Sequence, residues 1–343
     1  MPKYEGNPIW EDVIPIPQDD GEGALAAIAY TDGYAEGTPL LPRRLSPPGT
    51  DLILAMGYLR AIMAAKELSP RVLDLTEHII SMNAAHYTVW LYRASTLLTL
   101  SSSIPKELEW VNEVALDNQK NYQIWHHRQT LIDHLYPTIS SDPAALESLA
   151  KSEIAFMTQM FDEDSKNYHV WSYRQYLVRK LNLFNAAEIK SIEVLLRRDV
   201  RNNSAWSHRF FLVFSNPSYC TSNSKATEYD PKIPEDIIDR EIEFAKAATF
   251  EAPQNQSPWN YLRGVLRKGG RKLATLECFA KEFVKIPDEG SEDVKSSHAL
   301  DFLADVWSEK GERVKSEKAF TLLGEKYDRI RKNYWDWRKT AVC

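Results

Sequence analysis

Two stretches of the chain offer groups that could bind a phosphate: QKNYQIWHHRQ at 119–129 and SKNYHVWSYRQ at 165–175. Each carries Lys-Asn-Tyr four to five residues before a Trp-x-x-Arg. A lysine ammonium is a compact point charge suited to phosphate, and a tyrosine hydroxyl can donate one hydrogen bond to a phosphate oxygen. A helix that begins here would add free N–H groups. A solvated loop lysine is the simpler interpretation of both, and the residues alone do not choose between Lys120 and Lys166.

The Trp-x-x-Arg pair is repeated along the chain. Four copies have their tryptophans 35, 46 and 35 residues apart, and an asparagine precedes the tryptophan by four residues in all but the first, where His86 stands. A fifth, weaker copy has Trp259 before Arg263, and a sixth echo keeps Trp335 and Arg338. The four main copies are Trp90 with Arg93, Trp125 with Arg128, Trp171 with Arg174, and Trp206 with Arg209.

The repeats are separated by amphipathic stretches that predict helices. In RVLDLTEHIISM (71–82) the apolar residues recur at a spacing of three and four, which places them on one helical face. Each repeat therefore predicts a helix, a tight turn and a second helix, with the asparagine capping the second helix. The tryptophan should face inward, and the arginine should reach a carboxylate or carbonyl of the next repeat. We assign both positions to the scaffold.

A single helical hairpin cannot bury its apolar face, so stacked hairpins are expected. The predicted fold is all-α, a right-handed superhelical crescent (a solenoid) of tetratricopeptide-like hairpins. Residues 1–50 are predicted to be an irregular N-terminal segment and 51–343 a single α-α repeat domain. Polar, proline-containing residues at 215–236 predict an inserted loop, and 286–297 predict a second break.

Composition narrows the function classes. The net charge of −6 argues against a nucleic-acid binder, and no apolar run approaches the 18 residues of a membrane span. The three cysteines are far apart and the eight histidines include no His-Glu-x-x-His, so we expect no disulfide and no metal ion held by this chain. The neighbours His126 and His127 point about 100° apart on a helix, which is poor geometry for a shared metal. We expect His208 to be an interface residue and the protein to be cytoplasmic.

The repeats resemble those of protein prenyltransferase α subunits, from WEDVIPIPQDDG near the start, through NAAHYTVW, KNYQIWHHR, KNYHVWSYRQ, RNNSAWSHR and SPWNYLRG, to the final IRKNYWDWR. The N-terminal stretch and the length are similar to the subunit that farnesyltransferase shares with type I geranylgeranyltransferase. This resemblance implies an enzyme that is active only as a heterodimer with a β subunit. It would transfer a prenyl group from farnesyl or geranylgeranyl diphosphate to the cysteine of a C-terminal CaaX motif.

The resemblance also implies how the site is divided between the subunits. Zinc would be held by the β subunit, and magnesium would accompany the diphosphate. Lys166 matches the family's diphosphate lysine and is the expected catalytic residue. Tyr168 matches a tyrosine beside the same diphosphate, His169 a position that meets the substrate's terminal carboxylate, and Tyr122 a tyrosine lining the substrate groove.

Each assignment has a simpler alternative. Tyr168 could be a turn aromatic that packs as a hydrophobic staple, and His169 could be an interface or solvent residue. For the whole chain, the alternatives are the α subunit of Rab geranylgeranyltransferase, or a tetratricopeptide-like scaffold without catalysis.

Overall fold

The computed structural model describes residues 3–17, 50–287 and 292–341, and its regular structure is almost entirely helical. The α-helices in chain order are α1 (Thr50–Ala65), α2 (Pro70–Met82), α3 (Tyr87–Thr99), α4 (Ile104–Asp117), α5 (Tyr122–Ile139), α6 (Pro143–Glu163), α7 (Tyr168–Lys180), α8 (Ala186–Arg198), α9 (Asn203–Phe214), α10 (Glu235–Glu251), α11 (Gln256–Lys268), α12 (Glu277–Lys281), α13 (Ser297–Glu309), α14 (Arg313–Leu322) and α15 (Lys332–Ala341).

The shorter elements lie near the two ends of the chain. They are 3-10 turns at Pro8–Trp10, Leu273–Leu276 and Arg329–Arg331, a π turn at Leu323–Tyr327, and an antiparallel pair of strands, β1 (Val284–Lys285) and β2 (Asp293–Val294). No strand was expected near the break predicted at 286–297, but β1 ends just before it and β2 lies within it. The predicted loop at 215–236 corresponds to the connection between α9 and α10. The prediction of all-α hairpin repeats is confirmed.

The chain forms two compact units, Met1–Arg174 and Gln175–Cys343. In the first unit, α2 packs against α3 and α4 against α5. In the second unit, α8 packs against α9 and α10 against α11. The assignment of 51–343 to a single domain stays a prediction. Residues 18–49, most of the predicted irregular segment, lie outside the described residues.

The described part of the N-terminal segment packs onto the first unit. Trp10 is buried with its ring edge against Tyr58, at 5.3 Å between ring centres. Asp12 accepts both terminal N–H groups of Arg71, at 2.6 and 2.8 Å. The Trp-x-Asp of the N-terminal motif therefore fastens this segment to α1 through Trp10 and to α2 through Asp12.

The motif asparagines cap their helices as predicted, and their side chains also bind the preceding hairpin. The Asn121 side chain accepts the Gln123 N–H at the start of α5, and its Nδ2 donates to the Ala84 carbonyl of the preceding hairpin at 2.6 Å. Asn255 repeats both contacts, with Ser257 N–H and the Val200 carbonyl. One side chain thus caps its own helix and ties consecutive turns together. His86, which replaces asparagine in the first copy, forms no such cap.

The motif tryptophans are buried, as the prediction of a scaffold role requires. In four copies the indole N–H donates to the carbonyl six residues earlier, and these pairs are Trp90 with Ala84, Trp171 with Ser165, Trp206 with Val200, and Trp259 with Pro253. The Ala84 carbonyl therefore accepts from Trp90 and from Asn121 together. Each turn is thereby fixed by its own hairpin and by the next.

The motif arginines reach carboxylates of the next hairpin, as predicted. Arg93 on α3 forms a two-point contact with Glu107 on α4, at 2.6 and 2.7 Å. Arg128 on α5 contacts Glu153 on α6 at 2.6 Å, and both side chains are buried. In the second unit Arg209 pairs with Glu241 on α10 in the same way. Buried charges are tolerated only when paired, so these contacts set the spacing of the hairpins.

A further set of contacts, three of them to the same carboxylates, was not predicted from the sequence. The residue two after the motif tryptophan binds the carboxylate of its own hairpin: His127 contacts Glu107 at 2.9 Å, and Tyr173 donates to Glu153 at 2.7 Å. Tyr261 donates to Glu241, and His208 contacts Glu188 at 3.0 Å. His208 is fully buried in this contact, so its expected role as an interface residue is wrong.

Candidate functional site

The candidate site is the turn between α6 and α7 in the first unit. Asp164 accepts the backbone N–H of Lys166 at 2.9 Å, which shapes the turn. Asn167 then caps α7 by accepting the N–H of His169 at 3.0 Å, and its Nδ2 donates to the Gln119 carbonyl at 2.8 Å. The cap is buried, whereas Lys166 is exposed at the helix start. The fold therefore anchors the asparagine and leaves the lysine facing solvent.

Two turns contribute aromatic groups to the same place. Tyr168 donates a hydrogen bond from its hydroxyl to the Tyr122 hydroxyl, although the two residues are far apart in sequence. Tyr122 is 64% exposed and Tyr168 53% exposed. The structure thus brings together two of the predicted substrate-binding residues, and their hydroxyls lie at the surface where a ligand could reach them.

His169 completes this cluster from beneath. Its ring meets Tyr122 edge to face at 4.3 Å between centres and lies 3.9 Å from the Tyr168 ring. The His169 side chain is only 5% exposed, so the alternative that it is a solvent residue is wrong. Its Nε2 has no hydrogen-bond partner within the described parts of the chain. A buried polar nitrogen without a partner carries a desolvation cost that a ligand could relieve.

Burial decides the charge state of the imidazole. It lowers the pKa of His169, and the backbone of Lys120 only partly opposes that shift. The ring is therefore neutral at pH 7, with one nitrogen donating and the other accepting. The backbone of Lys120 takes the one N–H of the neutral ring, so the other nitrogen, Nε2, can donate to a carboxylate only when the ring is protonated.

The hydrogen bond to Tyr122 raises the pKa of the Tyr168 hydroxyl. The phenol therefore stays protonated at neutral pH and can act only as a hydrogen-bond donor or acceptor, not as a base. Together with the Lys166 ammonium, the turn presents donors. Such a surface suits an anionic ligand.

One member of the His126-His127 pair is engaged within the fold. His127 binds Glu107 and is buried, and burial lowers its pKa despite that contact. Within residues 3–17, 50–287 and 292–341, no group of three or more histidine, cysteine, aspartate or glutamate side chains could hold a metal ion. In the same ranges, no helix combines the length and the apolarity that crossing a bilayer requires.

Comparison with known proteins identifies the repeats. A family model described as the protein prenyltransferase alpha subunit repeat matches residues 69–100, 104–135, 150–181, 185–216 and 238–269. These five segments correspond to the hairpins α2–α3, α4–α5, α6–α7, α8–α9 and α10–α11. The sixth echo at Trp335 lies outside the matched segments.

Relatives are similar over nearly the whole chain. A protein farnesyltransferase/geranylgeranyltransferase type-1 subunit alpha from Candida albicans is 35% identical over 337 residues, covering 96% of this chain and 95% of that protein. The subunit of the same name from Dictyostelium discoideum is 32% identical, covering 99% and 94%. A solved structure of Candida albicans protein geranylgeranyltransferase-I complexed with GGPP matches with a TM-score of 0.76 at 34% identity, covering 97% of this chain and 98% of that one.

Proposed function

Because this chain belongs to the protein prenyltransferase α-subunit family, we propose that it is the α subunit shared by protein farnesyltransferase and type-1 geranylgeranyltransferase. The near-complete coverage of relatives with that name carries the proposal. It also supports this function over the Rab-specific alternative and over a scaffold without catalysis. The reaction is the transfer of a prenyl group from a prenyl diphosphate to the cysteine of a CaaX protein.

The proposed role of Lys166 follows from the charge that develops in this reaction. As the bond from the allylic carbon to the diphosphate breaks, negative charge grows on the leaving oxygens. An ammonium positioned there stabilises the transition state more than the ground state. The exposed position of Lys166 at the start of α7 supports this role, because the helix start adds its own positive end. Lys166 is thus the proposed catalytic residue.

The other site residues bind and orient. Tyr168 would donate a hydrogen bond from its hydroxyl to a diphosphate oxygen, replacing or sharing its present contact with Tyr122. Tyr122 would line the path of the substrate chain with its exposed ring. His169 would take up a proton when the terminal carboxylate of the CaaX peptide binds, because the negative charge favours the imidazolium, and the unpartnered Nε2 would then donate to that carboxylate.

We assign the metals to the complex and not to this chain. The donors at the turn are a lysine, two tyrosines and a histidine, which do not make a zinc site. Zinc held by a β subunit would supply a deprotonated substrate thiol, and magnesium would neutralise part of the diphosphate charge. The residues of this chain would contribute the cation and the hydrogen-bond donors. We infer that the assembly works in the cytoplasm.

The test is co-expression with a β subunit. The chain is purified with and without a farnesyltransferase or type-1 geranylgeranyltransferase β subunit, and transfer of a labelled prenyl group to a CaaX peptide is measured. We expect transfer only from the complex. Failure to form a complex with either β subunit, or transfer that requires a Rab substrate and an escort protein, would contradict the proposal.

A further inference from the structure

A groove of about 430 Å³ lies in the second unit, away from the motif turns. It is formed by α8, α10 and the residues that follow α9, and Leu212 near the end of α9 is part of its floor. Leu212 is nine residues beyond Asn203, where α9 begins, so it lies about 14 Å along the helix from the turn that carries the motif asparagine. A partner bound at the turns of this unit would therefore leave the groove accessible.

The floor of the groove is apolar. Leu212 is buried there, and Phe184, Ile189 and Ile237 are half-buried around it. Tyr219 closes one end, with its hydroxyl next to Asn216. Such a floor has room for a single bulky apolar side chain, since ligand pockets of a few hundred Å³ bury groups of that size.

The rim of the groove is basic, although the whole chain has a net charge of −6. Lys190 and Arg197 lie seven residues apart on α8 and are both exposed, and Arg240 faces them from α10. Neither Lys190 nor Arg197 forms an ion pair with any residue that the structure describes.

The one acidic side chain that lines the groove is already engaged. Glu193 accepts from the buried Arg209 at 3.0 Å, so its charge is committed to the interior. Arg240 contacts the buried Glu241 at 2.9 Å, yet its side chain remains 54% exposed. Arg209 and Arg240 together balance Glu193 and Glu241, so the excess positive charge of the lining comes from Lys190 and Arg197.

We propose that this groove binds an acidic peptide segment of a partner protein. One apolar side chain of the segment sits on Phe184, Ile189 and Ile237, and flanking carboxylates pair with Lys190, Arg197 and Arg240. Electrostatic complementarity of this kind sets specificity and association rate more than affinity, so binding should weaken as salt is added. The proposal is independent of prenyl transfer, because none of these residues belongs to the turn at 165–169.

The test uses the full chain in its complex with a β subunit, or alone where no complex forms. Fluorescence anisotropy follows the labelled peptides Asp-Glu-Phe-Leu-Glu-Asp, Asp-Glu-Gly-Gly-Glu-Asp and Lys-Lys-Phe-Leu-Lys-Lys. We expect the first to bind, the second to bind at least about fivefold more weakly because it lacks the apolar anchor, and the third not to bind. Raising the salt from about 50 to 300 mM should weaken the first by several-fold.

The variant that tests the rim is the double charge reversal Lys190→Glu with Arg197→Glu. It should weaken binding of the acidic peptide at least about tenfold, while prenyl transfer and the circular dichroism spectrum stay unchanged. The matched control is the double reversal Lys232→Glu with Lys272→Glu, since both lysines are exposed in the same unit outside the groove. Unchanged binding in the double variant, or equal binding of the basic peptide, would overturn the proposal. So would binding to phosphatidylserine vesicles, lost in the double variant, without any binding of the acidic peptide.

Discussion

The turns at 119–123 and 165–169 have nearly the same sequence and the same pattern of asparagine hydrogen bonds. In both, the asparagine caps the following helix and donates to a carbonyl of the preceding turn, Ala84 for Asn121 and Gln119 for Asn167. They differ in depth: Asn167 is buried and Asn121 only half-buried. They differ also at the second helical position, where the third repeat has a buried His169 and the second a half-buried Gln123.

The comparison shows that the repeat supplies the turn and that the stacking of two turns supplies the site. Tyr122 from one turn and Tyr168 from the other share a hydrogen bond, and His169 packs against both rings. Since the asparagine contacts are common to both turns, substitutions of Asn121 and Asn167 should lower stability to a similar extent. Substitutions of the exposed lysines of the two turns should affect function to different extents.

The largest expected effect concerns the carboxylate that holds the two hairpins together. Glu153 is buried and binds both Arg128 of the second repeat and Tyr173 of the third. Glu153→Ala leaves a buried arginine without its counter-charge and should lower the free energy of unfolding by about 3–5 kcal/mol. Denaturant unfolding measures it. The control is Glu147→Ala on the same helix, where the carboxylate is exposed and should be dispensable. Equal losses would mean that the buried pair does not join the hairpins.

The next effect separates the two lysines. Lys166→Ala should reduce kcat for prenyl transfer by about 10²–10³-fold, the usual range for removing one donor that stabilises developing negative charge. Lys120→Ala, at the equivalent position, should change kcat by less than about threefold, and neither variant should alter the unfolding midpoint. Steady-state transfer to a CaaX peptide measures both. If the Lys120 variant loses as much activity as the Lys166 variant, the two turns are functionally equivalent and the assignment to one lysine is wrong.

A smaller effect is expected for the residue that differs most between the turns. His169→Ala should raise KM for the CaaX peptide about tenfold with little change in kcat, because a hydrogen bond to a charged carboxylate is worth about 1.5 kcal/mol or more. Gln123→Ala should leave KM within about twofold. Initial rates at varied peptide concentration test the pair. A peptide with an amidated C-terminus should bind both wild type and the His169 variant equally weakly. A KM unaffected by either change would assign His169 to packing alone.

The smallest effect is a dependence of stability on pH. Burial lowers the pKa of His127 and of His169, so the unfolded chain takes up protons at these sites before the folded chain does. Stability should therefore be full above the ordinary histidine value of about 6.5 and fall as the pH drops below it. Thermal unfolding at pH 7.5 and 5.5 measures this. In the third repeat Tyr173 occupies the position of His127, so His127→Gln should reduce the pH dependence, whereas Tyr173→Phe should leave it unchanged.

A separate loss of stability is expected at more acidic pH. Burial opposes the ionisation of Glu107 and Glu241, but hydrogen bonds from His127 and Arg93 to the first and from Arg209 to the second outweigh it and hold the pKa of each below its usual value. Their contribution to stability is present above a pH of about 4.5 and is lost below it. Two distinct steps in a stability profile would separate the histidines from the buried carboxylates. A single step below pH 5 would show that the histidines do not contribute.

Much of the fold could be predicted from the sequence because its signals are local. The apolar spacing in 71–82 depends on one helix, and the structure has that helix at Pro70–Met82. Asn121 and Asn255 predict helix caps, and each cap is a hydrogen bond to a backbone N–H only two residues later. The arginine could be expected to find a carboxylate in the next hairpin, but the choice of Glu107 or Glu153 depends on how α4 and α6 are rotated. No spacing in the sequence encodes that rotation.

For the candidate site the division is similar. The sequence by itself determined that an asparagine-capped helix begins at residue 168 and that Lys166 precedes it at the surface. The family resemblance assigned diphosphate binding to that lysine. Only the tertiary structure decided that Tyr122 and Tyr168 meet, that His169 is buried against both rings, and that His208 is internal. Those contacts join residues more than 40 positions apart or depend on which helix face is covered. They arise from the packing of one hairpin on the next. A repeated sequence predicts that the hairpins stack, but it does not determine how they are rotated relative to each other.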